Sequence, residues 1–429
     1  MATTNDATTG TGLFVDTFSG ALKDLVPEYA RLSSEMPFIS KDKMPGNLYH
    51  QAVRMGIEHG AHFNTDGSGF GLTDPGPIAA VYQDAQIKGT ACLIPTRVAY
   101  VAAGRAMQGG KDSYVSTVSP YVEANGLGLG FHAEISTLYG QSGIATVGTI
   151  AASGTSGSFI VDAAAWSTAL WKTAIGMPID IVATLSDAAV TNTTATCYVT
   201  GVTESSRTVT FSNNSSDAAA LDALTTGFVI RRGAYAGSGT WNECAGILKT
   251  MSNTGTLHNI SATNYPLWKS FGVSASSASL TYGKILQGLS GAAGGGLGER
   301  DVVLDCSPAT LADLTVDEAA RRTYDGSYNQ RVAKNGAKSI EYSAQNGMVK
   351  VRPHILMWEG IAFARVLEDW KRVGSTDFTY NVPGMPQDQM LLHLNSNAAW
   401  EFRSFFDFAP FCEAPARGVY FSAIVNSFS

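Results

Sequence analysis

Two stretches of alternating residues, separated by a turn-rich linker, constrain this chain more than any other feature. From Leu48 to Phe63 the odd positions carry Tyr49, Val53, Met55, Ile57, Ala61 and Phe63, while the even positions carry His50, Arg54, Glu58 and His62. From Val81 to Leu93 the pattern returns, with Val81, Ala85, Ile87, Ala91 and Leu93 set against Tyr82, Asp84, Gln86, Lys88 and Thr90. A period of two marks a strand with one face covered and the other in water. The linker holds Asp66, Gly67, Gly69, Phe70, Gly71, Asp74, Pro75 and Gly76, mostly residues that form turns. The pattern predicts a long two-stranded hairpin with a glycine-rich tip. A lone hairpin is marginally stable in water, so this one must lie on its own domain or on a neighbouring subunit.

Composition sharpens the second possibility. The chain has 429 residues, of which 45% are hydrophobic and 15% charged, against a usual charged share of about 25%. Such a composition excludes disorder for most of the chain, and the length suggests two or three domains. Few charges remain to keep a free monomer soluble, which points to a surface covered by other copies. No uninterrupted apolar run reaches the length of a membrane span, and Met1–Asp6 shows no secretory pattern. The five cysteines, Cys92, Cys197, Cys244, Cys306 and Cys412, are scattered, odd in number and without CxxC, which suits buried thiols in a reducing compartment. Lys plus Arg is 29 against 36 for Asp plus Glu, giving a net charge of −7. With no basic cluster, that balance argues against a dedicated nucleic-acid binder.

Beyond the hairpin, Leu22, Leu25 and Tyr29 predict amphipathic helix within residues 13–39. Ser119-Pro120 suits the opening of a helix, and Leu127, Phe131, Ile135 and Leu138 form its apolar stripe. Gly126, Gly128 and Gly130 interrupt that helix, so it is bent or packed closely on another backbone. Residues 177–235 read as a small β module, with strands near 179–184, 195–202, 208–212 and 228–232. Helix-like residues 282–289 precede a mobile glycine-rich run, Gly291 to Gly298. Asp317–Arg322 reads as helix. Asn346-Gly347 predicts a hairpin between strands at 340–343 and 348–351. Further strands are expected near 302–304, 361–366, 390–394 and 419–425.

Chemistry is sparse. His50, Glu58, His59 and His62 form the densest histidine cluster, but His59 and His62 would fall on opposite faces of a strand, so they read as solvent-facing rather than as metal ligands. His132 reads as a helix-surface histidine. No phosphate loop, dinucleotide fingerprint or GxSxG elbow occurs in the required context. Asp301 and Asp305 bracket a strand, as catalytic carboxylates can, but no partner carboxylate is assignable. Trp268 reads as a packing anchor. No cofactor, metal or catalytic residue is expected.

The order of these elements resembles the major capsid proteins of tailed bacteriophages, whose fold is shared with encapsulins and the herpesvirus capsid floor. Local phrases carry the resemblance: Asn259-Ile260-Ser261 with Tyr265-Pro266-Leu267-Trp268-Lys269, then Met357-Trp358-Glu359-Gly360-Ile361-Ala362-Phe363, Asp369-Trp370, Gly374-Ser375-Thr376-Asp377, and Phe411-Cys412-Glu413-Ala414-Pro415-Ala416. It implies an α+β fold with an N-terminal arm (1–45), an extended β-hairpin loop (46–95), and a spine helix near 112–139 with a peripheral domain (96–176). An axial domain with connecting strands (241–389) and C-terminal strands returning to the peripheral domain (390–429) complete it. The β-rich segment 177–240 departs from the minimal fold and is expected to be an insertion or an enlarged domain.

The implied function is a structural subunit, not an enzyme, that forms hexamers and pentamers of an icosahedral virion shell around double-stranded DNA, assembled in the host bacterial cytoplasm. An encapsulin-like compartment that loads a cargo enzyme is the alternative within the fold, and a hydrolase using a strand-end aspartate is the alternative outside it. With no charged coiled-coil segment before the arm, the resemblance implies a separate scaffolding protein, unless such a segment was cleaved away, together with a portal and a possible decoration protein. DNA would be touched only weakly and nonspecifically, and no membrane is involved. The loop tip, Asp66 to Gly76, is expected to contact an adjacent subunit.

Overall fold

The computed structural model describes residues 31–39, 48–60, 79–100, 111–192, 197–322, 340–344, 347–380, 392–393 and 399–427. Its longest helix is Lys111–Tyr139. Pro120 lies inside this helix rather than in its first turn. Proline forfeits one intrahelical hydrogen bond, a loss that a helix held by its neighbours can carry. Two faces are buried. Phe131, Ile135 and Leu138 enter the largest core, while Leu129 and Ala133 pack on Phe406 and Phe408. Leu127, expected in the stripe, is only half-buried. At Gly126 and Gly128, where a bend or a close backbone approach was expected, a Cβ would meet the side chains of Tyr380 and Ile94, and a close backbone approach occurs just past the helix end. There Gly140 faces Gly246, whose amide donates to the Gly140 carbonyl at 2.9 Å, and a Cβ on either glycine would overlap the other's backbone or its neighbours'.

Three larger sheets surround this helix. The first has six strands in the order Ile179–Val182, Gly227–Arg231, Ala145–Ser153, Ser156–Val161, Thr208–Ser212 and Tyr198–Thr203. The β module at 177–240, expected as an insertion or an enlarged domain, shares this sheet with a central hairpin formed by residues 145–161, which its strands flank. That hairpin is rich in Ala, Thr, Ser and Gly, so its period is faint in the sequence. Packing reveals it: Phe159 stacks on Phe211 at 5.6 Å and meets Trp171 edge-on.

The second sheet also has six strands, in the order Phe271–Ala278, Val419–Ile424, Ala362–Arg365, Val302–Cys306, Gly347–Pro353 and Ile340–Ala344. Helices Tyr282–Ala293 and Pro308–Arg322 accompany it. The hairpin at Asn346-Gly347 forms, with Ala344 opposite Gly347, although Asn346 itself lies outside the described residues. The run Gly291 to Gly298, expected to be mobile, is held in place. Its first residues belong to the helix, Leu297 is fully buried, and backbone bonds tie Gly294, Gly295 and Gly296 to the helix end. Glycine is needed at 295 because a side chain there would overlap Ala416.

The third sheet joins Phe38–Ile39, Trp370–Thr379, Ala399–Cys412 and Leu392–His393, with Thr90–Ala99 also paired to Ala399–Cys412. The two long strands at 370–379 and 399–412 were not expected from the sequence. Their burial exceeds simple alternation, and burial on both faces erases the period that reveals a strand.

The ribbon pairs Tyr49–Arg54 with Tyr82–Ile87 in antiparallel register, from Tyr49 opposite Ile87 to Arg54 opposite Tyr82. It is shorter in the described residues than the alternation suggested. The second arm ends at Lys88-Gly89, and Thr90–Ala99 leaves the ribbon to pair with the stretch from Ala399 to Phe408. Gly89 permits that departure, since a Cβ there would come within 2.5 Å of Asp407 Oδ1.

Candidate functional site

The ribbon root rests on its own subunit. Ala85 and Ile87 are buried with Ile260, Trp268 and Phe411, and Tyr49, Val53 and Met55 pack against them. Gln86 N donates to His258 O at 3.0 Å, and Gln83 Nε2 donates to Tyr265 Oη at 3.0 Å. Trp268 is the packing anchor expected of it, buried and donating Nε1 to Leu257 O at 3.0 Å. The other face is polar: His50 Nδ1 meets Asp84 Oδ2 at 2.7 Å, and that bond holds the Asp84 carboxyl below its ordinary pKa. Farther out, Ile57 is 61% exposed and Tyr82 64%, with Val81 exposed between them. The tip residues Asp66, Gly67, Gly69, Phe70, Gly71, Asp74, Pro75 and Gly76 lie outside the described residues. His62 does too. His59 stands beyond the end of the strand, so the opposite-face argument does not apply to it.

A buried charged joint connects the N-terminal segment, the long helix and the second sheet. Glu134, fully buried on the helix, accepts from Leu32 N at 2.7 Å, Ser33 N at 3.0 Å and Ser33 Oγ at 2.9 Å. His354 Nε2 lies 2.8 Å from the same carboxylate. Beside it, Arg352 Nη1 and Nη2 grip Glu35 at 2.6 and 2.9 Å. Asp305 accepts from Arg352 at 3.0 Å and from Arg365 Nε at 2.5 Å. Burial alone would raise the Asp305 pKa, but Arg365 and Arg352 outweigh it and hold the carboxyl below its ordinary value. Asp305 is thus an ion-pair partner inside a strand rather than a strand-end acid. Asp301 lies just before the strand, exposed, with Oδ1 3.4 Å from Met348 N.

These joint residues, Asp305 apart, were missed in the sequence. A signal existed, since Asp305 interrupts the apolar run Val302–Cys306, and a charge there must be paired if buried.

His132, expected on the helix surface, is half-buried and faces a cavity. Arg231 Nη1 donates to its carbonyl at 2.7 Å and approaches Nδ1 at 3.4 Å. Burial, with Arg231 beside it, pushes the imidazole pKa down to about 3. His132 lines a cavity of about 340 Å³ with Cys92, Ser136, Arg231, Glu243 and Cys244. Burial pushes the Cys244 thiol up to about 12 and also raises that of Cys92, so neither thiol is activated. Among the described residues, no group of three or more His, Cys, Asp or Glu is placed to hold a metal, and no helix is long and apolar enough to cross a membrane. The arrangement is one of buried charged joints and a ribbon whose outer end is incompletely covered.

No family model matches the sequence, and no curated protein is significantly similar to it. Solved structures are similar to it in fold. The capsid asymmetric unit of cyanophage A-1(L) matches with a TM-score of 0.58 at 10% identity, covering 97% of this chain and 99% of that one. The capsid of a native GTA particle gives 0.46 at 6% identity, over 98% and 99%, and the capsid of Myoviridae phage XM1 gives 0.46 at 7%, over 95% and 96%. At such identities the likeness speaks for fold alone. The several sheets, the long central helix and the full-length match place this chain in the mixed α+β fold of tailed-phage major capsid proteins.

Proposed function

We propose that this chain is a structural subunit of a tailed-phage capsid that self-assembles into hexamers and pentamers of an icosahedral shell around double-stranded DNA. The supporting observation is the fold likeness to the cyanophage A-1(L) capsid across nearly all of both chains. The low charge fits a surface made for neighbours, and a net charge of −7 fits a wall that does not grip phosphate. The reading keeps residues 1–45 as the arm and residues 46–95 as the loop that reaches a neighbour, a heterologous contact that can close into rings. Exposed Ile57, Val81 and Tyr82 at the outer end of the described ribbon favour that contact. The role is structural and needs no cofactor. A separate scaffolding protein, a portal and a decoration protein are its proposed partners, with assembly in the host cytoplasm and residence in the virion.

Electron microscopy of the purified chain, alone and co-expressed with the scaffolding protein, tests the reading. Closed shells are expected. A monodisperse monomer under both conditions would overturn it, and shells carrying a cargo enzyme without portal would reassign it to a protein compartment.

A further inference from the structure

The segment from Arg31 to Ile39 is attached in two different ways along its length. At one end Phe38 and Ile39 pair in parallel with Arg372 and Val373. Arg372 adds Nε to Met36 O at 3.0 Å and its backbone N to Pro37 O at 2.9 Å. The other end, Arg31–Glu35, buries a single large apolar side chain, Leu32, and is otherwise held by charge. Glu134 gathers Leu32 N, Ser33 N and Ser33 Oγ, and Arg352 grips Glu35 with both terminal nitrogens.

The groups facing this contact are Glu134 from the long helix, His354 from the turn after Gly347–Pro353, Arg352, Asp305 and Arg365 from three adjacent strands, and Arg31 and Glu35 from the segment itself. Pairing within this set is incomplete, and Glu35 Oε2 lies 3.9 Å from Arg365 Nη2, beyond hydrogen-bond reach. Arg365 is fully buried, yet its Nη1 and Nη2, together with Arg352 Nε, have no hydrogen-bond partner among the described residues. A buried donor without an acceptor is costly, whereas a hydrated one is not.

We propose that Arg31–Glu35 is a detachable strap, pivoting at Met36, that opens without unfolding the sheet beneath it. In the closed state it joins the N-terminal segment to the long helix through Glu134 and to the second sheet through Glu35. In the open state water reaches the guanidinium groups of Arg352 and Arg365, which offsets part of the lost ionic contact and sets the strap apart from the core in stability. The inference does not rest on the shell reading, because the strap belongs to one subunit.

Amide hydrogen exchange on the unassembled full-length chain at neutral pH is the test. In the wild-type protein, the Leu32 and Ser33 amides are expected to exchange at least ~100-fold faster, relative to their intrinsic rates, than those of Val302–Cys306. Glu134→Gln should accelerate Leu32 and Ser33 by a further ~10- to 100-fold, the scale of a lost charge-assisted bond, and leave Val302–Cys306 unchanged. Ser33→Ala, a milder change should Glu134→Gln not fold, should accelerate Leu32 about tenfold. Equal protection of Leu32 and Val302–Cys306 in the wild type would overturn the proposal. So would unchanged exchange at Leu32 in the variants that fold.

Discussion

Tyr139 stacks on Trp358 with ring centroids 4.7 Å apart and planes at 15°, and its hydroxyl closes the same contact. It donates to Leu356 O at 2.7 Å and accepts from Trp358 N at 2.8 Å. One side chain at the end of the long helix thereby satisfies two backbone groups of a turn more than two hundred residues away in sequence. Burial pushes the Tyr139 pKa well above its ordinary value, so the hydroxyl keeps its proton and can donate. Tyr139→Phe preserves the stack and orphans both backbone groups. It is expected to cost about 1–3 kcal/mol, read as a lower urea midpoint with an unchanged slope.

Asp305→Asn should be more damaging, because Arg352 and Arg365 would lose the anion they share. Removing one member of a buried charge set costs about 3–5 kcal/mol. The pH dependence has a definite sign. Since the folded carboxyl titrates below its ordinary value, its stabilisation is complete above the unfolded pKa of about 3.9 and is lost as pH falls through the folded value. Urea unfolding below about pH 4 should show a steeper loss of stability in the wild type than in a variant that still folds.

Two histidines act in a different window. Burial pushes His132 down to about 3 and His258 down to about 4, so the unfolded chain binds protons that the folded one refuses. Stability should therefore fall as pH drops below about 6.5, by up to ~1.4 kcal/mol per pH unit for each histidine. Unfolding midpoints measured from about pH 7 down to about pH 5 check this. His132→Gln, which keeps a carbonyl acceptor toward Arg231, should flatten the slope by about half. An unchanged slope would place the proton uptake elsewhere.

Deleting residues 66–76, the tip of the ribbon loop, should leave the subunit folded while reducing shell yield. The root is fastened independently of the tip, through Ala85, Ile87 and Phe411. Circular dichroism reports the fold and particle counts report assembly. Unchanged particle yield and stability would remove the tip from the interface.

The parts of the fold that were legible in the sequence are those whose side chains carry a clean period or a turn signal. Tyr49, Val53, Ala85 and Ile87 announced the ribbon, Phe131, Ile135 and Leu138 announced the long helix, and Asn346-Gly347 announced its hairpin. Strand Ala399–Cys412 was missed because the polar Ser404 lies on its buried face and the apolar Phe405 on the other, and from Ala409 on the alternation gives way to consecutive buried residues. The charged joint was hidden for another reason. Glu35, Glu134, Asp305, Arg352 and Arg365 come from five separate elements, and an ionic contact between distant segments has no local period. The lone charge at Asp305 within Val302–Cys306 was a trace of it, as was Glu134 in an otherwise uncharged stretch.

Strand Ala399–Cys412 also determines how the subunit bears load. Its first part is paired over ten residues with Thr90–Ala99, and its last part with Trp370–Thr379. Thr90 follows the ribbon after only Lys88 and Gly89. Tension that reaches Thr90 along the axis of the Thr90–Ala99 strand crosses hydrogen bonds that lie perpendicular to it. Such a joint resists in shear, with all its rungs strained together, where a peeled edge would fail one rung at a time. A ribbon anchored this way can be pulled hard without being unzipped.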